Sequence, residues 1–140
     1  MKSNLDLHGK RVLVVGGETA LGRAVVIGLA EAGVDVAIVS LSPDTKAEFA
    51  INSALNELWA LQRKGLALAI DATDARQVRD AVERTDRELG RLDLAAVVAG
   101  VGTVAVEALE TAMAERSVVA LPPEVDAGEA LEEVSRRLLA

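Results

Sequence analysis

Five short runs of mostly aliphatic residues punctuate this chain: Arg11 to Val15, Val34 to Ser40, Leu66 to Ile70, Leu92 to Ala99 and Ser117 to Leu121. Between them, apolar residues return every three or four positions, the spacing of a helix that buries one face. Strand patterns alternating with helix patterns predict βαβ units on a parallel sheet. The first, second and fourth runs are almost wholly apolar, which predicts central strands covered on both faces; antiparallel strands alternate more often with polar residues.

The helices are bounded by caps and stops. The first is expected from about Ala20 to Ala32, with Leu21, Val25, Ile27 and Leu29 partly buried and Gly33 ending it. Ser42 followed by Pro43 predicts the start of the second, with Ala47, Ile51, Ala54, Leu58 and Leu61 as its stripe and Gly65 as its stop. The third opens on a capping box, Asp74 with Gln77, buries Ala75, Val78, Val82 and Leu89, and stops at Gly90. Val104 to Glu115 is apolar over more than one face, as in a deeply packed helix or a subunit contact. A last helix, about Ala127 to Leu139, carries Leu131, Val134 and Leu138 inward and Glu129, Glu132, Arg136 and Arg137 outward.

A length of 140 residues with 51% hydrophobic residues predicts one domain, residues 1–140, with a core of its own. Cysteine is absent and His8 is the one histidine, so neither disulfides nor a metal site is expected. The chain shows neither the apolar run of about 18 residues that a membrane span needs nor an apolar leader, and a cytoplasmic protein is expected. A net charge of −7, with arginines scattered among acids, repels a phosphate backbone and argues against nucleic acid as a partner.

The candidate chemistry lies where the first strand runs into glycines and then a helix. Free N–H groups in a helix's first turn, together with its dipole, make such a junction an anion site. The segment Leu7-His8-Gly9-Lys10, the glycine turn after the strand, and the tail Leu21-Gly22-Arg23-Ala24 resemble the cofactor loop of the short-chain dehydrogenase/reductase family, whose pattern is Thr-Gly-x-x-x-Gly-x-Gly. In this alignment Gly17 and Gly22 lie five residues apart where the family has six, Gly16 stands for the threonine, and Thr19 and Ala20 stand near the missing middle glycine. The resemblance implies a Rossmann-like α/β fold: a doubly wound parallel sheet of about five strands in the order 3-2-1-4-5, with helices on both faces. A flavodoxin-like order is the main rival.

The resemblance also implies a binding site for an adenine dinucleotide, NAD or NADP. Gly16, Gly17, Thr19, Ala20, Leu21 and Gly22 would hold the pyrophosphate, and Ser40 would face the ribose. Asp71-Ala72-Thr73-Asp74 looks like the family's Asp-Val-Thr-Asp, which assigns Asp71 and Ala72 to the adenine. Ala99 and Gly100 match the end of the family's Asn-Asn-Ala-Gly and would line the cofactor, while Val97 and Val98 replace its asparagines. After the second strand Ser40-Leu41-Ser42 offers neither the acid that selects NAD nor an arginine for NADP, and Lys46 stands one turn further on. Glu18, placed about 6 Å from a cofactor phosphate, is expected to weaken binding by about 2–3 kcal/mol at an effective dielectric of 20.

The family's carbonyl chemistry needs a serine and a Tyr-x-x-x-Lys after the fourth strand, the tyrosine donating the proton. This chain contains no tyrosine, no lysine after Lys64 and no serine between Ser53 and Ser117. No catalytic residue is therefore assigned; Ser117, Thr103 and His8 are the unforced proton donors, none at a matching position. The expected function is a nucleotide-binding or regulatory module without catalysis, a family member that has lost its catalytic middle. A divergent NAD(P)-dependent oxidoreductase is the first alternative. The second is an assembly subunit that no longer binds nucleotide and joins itself or a full-length relative through the face from Val104 to Met113.

Overall fold

A computed structural model describes residues 6–100 and 102–140; residues 1–5, the polar start of the chain, and Val101 lie outside the description. The elements are β1 (Arg11–Val15), α1 (Ala20–Glu31), β2 (Asp35–Val39), α2 (Thr45–Ala60), β3 (Gly65–Leu68), α3 (Ala75–Glu88), β4 (Leu94–Val98), α4 (Val106–Met113), β5 (Ser117–Leu121) and α5 (Ala127–Leu139). They build a parallel sheet in the order β3-β2-β1-β4-β5, the expected doubly wound arrangement.

Strand periodicity divides the core in two. Side chains alternate across a sheet, so Val12 and Val14 of β1 join Val36, Ile38 and Leu94 under α1, α2 and α5, whereas Leu13 and Val15 join Ala37, Val39 and Ala95 under α3 and α4. Both layers are packed with buried apolar side chains, which is why the central strands read as unbroken apolar runs. The chain order reverses between β1 and β4, and there the carboxyl ends of two neighbouring strands open a crevice for a ligand.

Several boundaries depart from expectation, each for a local reason. The second helix is capped by Asp44, whose Oδ1 accepts the Ala47 N–H at 2.8 Å. Ser42 instead donates its hydroxyl to Asp44 Oδ2 at 2.8 Å, and Pro43 lies before the cap. That helix ends at Ala60, with Gln62 at φ 62°. Gly65 opens β3, where a Cβ would press on Leu58 and on the Val36 carbonyl at 2.8 Å; its role is close approach, not a stop. The third helix is capped by Asp74, begins at Ala75 and stops before Gly90, which sits at φ +128°. Gln77 does donate to Asp74, but its Oε1 accepts the N–H of Asp71, not that of the cap. Val78, Ala81, Val82 and Thr85 form the buried stripe of α3, while Ala75 is exposed.

The ambiguous segment before β5 resolves into the deeply packed reading. Only Val106 to Met113 is helical, and Leu109 and Met113 are fully buried against the second core, leaving Val106 as its exposed large apolar side chain. Leu109 and Met113 of the face expected for assembly are thus spent inside the chain, while Val106 stands exposed. Arg116 locks this corner: its guanidinium grips both oxygens of Asp86 at 2.9 and 3.1 Å and also donates to the carbonyls of Leu92, Met113 and Ala112. The last helix runs from Ala127 to Leu139 as expected.

Candidate cofactor site

The turn after β1 is built on Gly16. Its φ of +95° lies in the left-handed region, and a Cβ would collide with the Val98 carbonyl of β4. Gly22, six residues on, approaches so closely that a Cβ would strike the Gly16 carbonyl. The family's first and last glycines are therefore Gly16 and Gly22 with the full spacing of six, which corrects the alignment on Gly17. Val15 then stands for the threonine and Ala20 for the middle glycine. Gly17 is required for a different reason, since a Cβ there would run into the Ile38 side chain.

Thr19 caps α1, accepting the Gly22 N–H at 2.9 Å while donating its hydroxyl to the Gly16 carbonyl at 2.7 Å. Neither Ala20 nor Leu21 has a carbonyl one turn back inside the helix, so their first-turn N–H groups have no intrahelical acceptor. Ala20 is exposed and Leu21 half-buried. A cradle whose glycines have no room for a Cβ, topped by a capped helix N-terminus, fits a pyrophosphate. The methyl of Ala20 is the one group standing where the family pattern leaves bare backbone.

Sequence reasoning missed what Glu18 does. Its carboxylate accepts the Leu41 N–H, with Oε2 at 2.8 Å and Oε1 at 3.1 Å. The side chain thus reaches from the glycine loop to the first residues beyond β2, where it is anchored. The Leu41 carbonyl accepts the Ala72 N–H at 3.0 Å, and the Ala72 carbonyl accepts the Ala105 N–H at 2.8 Å. One chain of hydrogen bonds therefore stitches together the loops after β1, β2, β3 and β4. The available signal was the coincidence of an acid in the glycine loop with the lack of one after β2.

The stitching decides which predicted residues face a ligand. Ser40 is fully buried, and its hydroxyl accepts the Ile70 N–H at 2.9 Å and donates to the Ile70 carbonyl at 3.3 Å, so it is not presented to a ribose. Ala72 is fully buried with both backbone groups engaged. Asp71 is half-buried; its Oδ1 accepts both the N–H and the hydroxyl of Thr73, at 3.0 and 2.6 Å, in a local turn. Ala99 is half-buried and Gly100 exposed at the end of β4, beside the Gly16 turn. Between Glu18 and the start of α2 lies a hollow of about 180 Å³ that also touches Asp44, Lys46, Ala47 and Ala50. The Ala47 N–H and the Ser42 hydroxyl hold the Asp44 carboxyl below its usual range.

Of the three proton-donor candidates, only Thr103 belongs to the loops at the crevice end, and its hydroxyl donates to the Gly100 carbonyl at 2.7 Å. His8 precedes β1, packs its ring against Gly33 and pairs with Asp6 at 2.5 Å. Ser117 is the first residue of β5. Both sit at the amino ends of the strands, across the sheet from the crevice.

Sheet order, glycine turn and capped helix define a dinucleotide-binding type of α/β protein. Residues 10–120 match the model of the short chain dehydrogenase family, and the chain belongs to that family. It is 32% identical over 126 residues to a cyclohexanol dehydrogenase of Rhodococcus sp. (strain TK6), covering 85% of this chain and 47% of that protein. It is 36% identical over 95 residues to L-rhamnose 1-dehydrogenase (NAD(P)(+)) of Sphingomonas sp. (strain SKA58), covering 68% of this chain and 36% of that one. The chain thus spans less than half the length of either relative. The fold matches a short-chain type dehydrogenase/reductase from Mycobacterium marinum at a TM-score of 0.68 and 23% identity, over 82% of this chain and 56% of that structure. No helix among the described residues is long and apolar enough to cross a membrane.

Proposed function

We propose that this chain binds NAD(P) at the carboxyl ends of β1 and β4, as the dinucleotide-binding half of a short-chain dehydrogenase. The observation that carries this reading is the cradle itself. Gly16 and Gly22 are packed too closely for any side chain, and Thr19 caps the Gly22 N–H at a helix start that has no intrahelical acceptor for the Ala20 and Leu21 N–H groups. The family match and the NAD(P)(+) in the name of the rhamnose dehydrogenase relative support it. Gly16, Gly17, Thr19, Ala20, Leu21 and Gly22 would seat the pyrophosphate, Asp71 remains the candidate for the adenine edge, and Ala99 and Gly100 would line the nicotinamide side. When bound, the dinucleotide supplies or accepts a hydride. These residues supply its seat, and the chain supplies no tyrosine to donate a proton. Carbonyl chemistry at this site therefore calls for a general acid other than the family's tyrosine, which unites the non-catalytic module and the divergent oxidoreductase as one binding unit with or without a partner.

Calorimetric titration with NAD, NADH, NADP, NADPH and ATP tests the reading against an Ala20→Asp variant. Ala20 is exposed at the first helical position, where an aspartate suits the helix dipole, so the variant folds while placing a carboxylate on the phosphate seat. Gly17 is a poorer probe because any side chain there collides with Ile38. Micromolar binding of a dinucleotide that weakens at least tenfold in the variant is expected. Absence of heat at millimolar ligand would end the proposal.

A further inference from the structure

We propose that Glu18 selects NAD over NADP in this chain, doing from the glycine loop what Rossmann proteins ordinarily do with an acid at the end of the second strand. The inference rests on the dinucleotide-binding reading above. In this fold the adenosine ribose lies at the end of β2, about 20 residues beyond the glycine loop, where a carboxylate accepts its hydroxyl protons. Ser40, Leu41 and Ser42 bring no acid to that place, and the Ser40 hydroxyl is turned into the sheet to serve Ile70. A carboxylate stands there nonetheless, because Glu18 is held against the Leu41 N–H by both of its oxygens.

That single donor shared between two oxygens leaves each with lone-pair capacity, so the carboxylate can accept a ribose hydroxyl without releasing Leu41. The backbone bond also fixes the carboxylate before any ligand arrives, which lowers the ordering cost of binding. The neighbouring hollow adds to the discrimination. It sets Glu18 and Asp44 against the one ammonium of Lys46, and Asp44 is committed to capping α2 and stays ionised. A neutral 2′-hydroxyl meets an acceptor there, whereas a 2′-phosphate brings negative charge to two carboxylates and one cation. Glu18 is then a specificity residue, and its distance from the phosphate seat is kept by the Leu41 bond.

The test is titration calorimetry of NAD and NADP on the wild-type chain and on Glu18→Gln, with Lys46→Gln in parallel and thermal melts to verify folding. Glu18→Gln keeps an oxygen for the Leu41 N–H and removes the charge, so it is expected to fold normally. The wild-type chain should bind NAD roughly 10- to 100-fold more tightly than NADP, and Glu18→Gln should shrink that ratio by about tenfold, chiefly by strengthening NADP. Raising the salt concentration should narrow the wild-type ratio as well, because screening relieves the repulsion. If NAD binds but the ratio is the same in Glu18→Gln, or if the wild-type chain prefers NADP and loses it in Lys46→Gln, Glu18 is not the selector while the binding reading stands. If neither dinucleotide binds the wild-type chain, both fall together.

Discussion

Ser40 shows how far one hydroxyl's role depends on its neighbours. From its place after the second strand it reads as a ribose ligand, yet it is fully buried and closes the gap between β2 and β3 by serving both backbone groups of Ile70. Nothing in the local sequence Val39-Ser40-Leu41 distinguishes the two roles; the partner lies 30 residues away in β3's continuation. The two roles predict different losses. Ser40→Ala strands the Ile70 N–H in an apolar layer, which costs about 1–3 kcal/mol for a buried donor left unpaired. Urea unfolding should show that loss, while dinucleotide affinity measured on the folded variant should stay within about twofold. A large affinity loss at unchanged stability would restore the ligand role.

Elements that share the same type are held by different means, and this governs how much of each was readable. Helix α3 announced itself through Asp74, Gln77 and Gly90 because its determinants are local: a carboxylate accepting from the Arg76 and Gln77 N–H groups and a glycine free to adopt φ +128°. The start of α2 was misread by two residues because Ser42 and Asp44 both qualify as caps, and only Asp44 reaches the Ala47 N–H. Helix α4 has no side-chain cap at all and ends at Met113, just before Ala114 at φ 57°; what fixes it is tertiary, the burial of Leu109 and Met113 and the Arg116 clamp behind them. That clamp makes a pH prediction. Burial pushes the Asp86 carboxyl up, but the Arg116 guanidinium, the Leu92 N–H and the charge of Arg91 outweigh it and hold the carboxyl below its ordinary value of 3.8. A carboxylate depressed in the folded state stabilises fully above its unfolded pKa, and the contribution is lost as pH falls through the lower, folded one. Arg116→Met should therefore cost about 2–3 kcal/mol at pH 7, less than a fully buried pair because Asp86 is about one-third exposed. The deficit relative to wild type should shrink as the pH drops below about 4. Melts at pH 7 and pH 3 check it: an equal deficit at both would assign the loss to packing of the arginine stem alone.

At the level of the whole molecule, the sheet order was legible because five apolar runs separated by helix-length spacers leave few parallel arrangements, and the glycine loop picks the doubly wound one. The crevice was legible in outline only. Its glycines could be found, but their alignment depended on which carried positive φ, and the bond from Glu18 to Leu41 spans 23 residues with no periodicity to betray it. The outer surface was less legible. Of the helix face expected to bind a partner, Val104 to Met113, the large side chains Leu109 and Met113 are folded into the core and Val106 is exposed, and the chain's one phenylalanine and one tryptophan stand on α2 with 75% and 57% of their surface exposed. Neither aromatic helps to hold this chain together: the inward stripe of α2 is Ala47, Ile51, Ala54, Leu55 and Leu58, and it is complete without them. A double variant, Phe49→Gln with Trp59→Gln, should keep unfolding stability within about 1 kcal/mol of wild type, because surface substitutions away from caps and buried networks seldom exceed half that apiece. The same variant should bind dinucleotide unchanged, since α2 offers the crevice only its first turn, around Asp44 and Lys46. Urea unfolding at protein concentrations differing tenfold sharpens the test. A stability that differs between the two proteins only at high concentration would place the aromatics in a contact between chains, and a loss of several kcal/mol at every concentration would put them inside the fold.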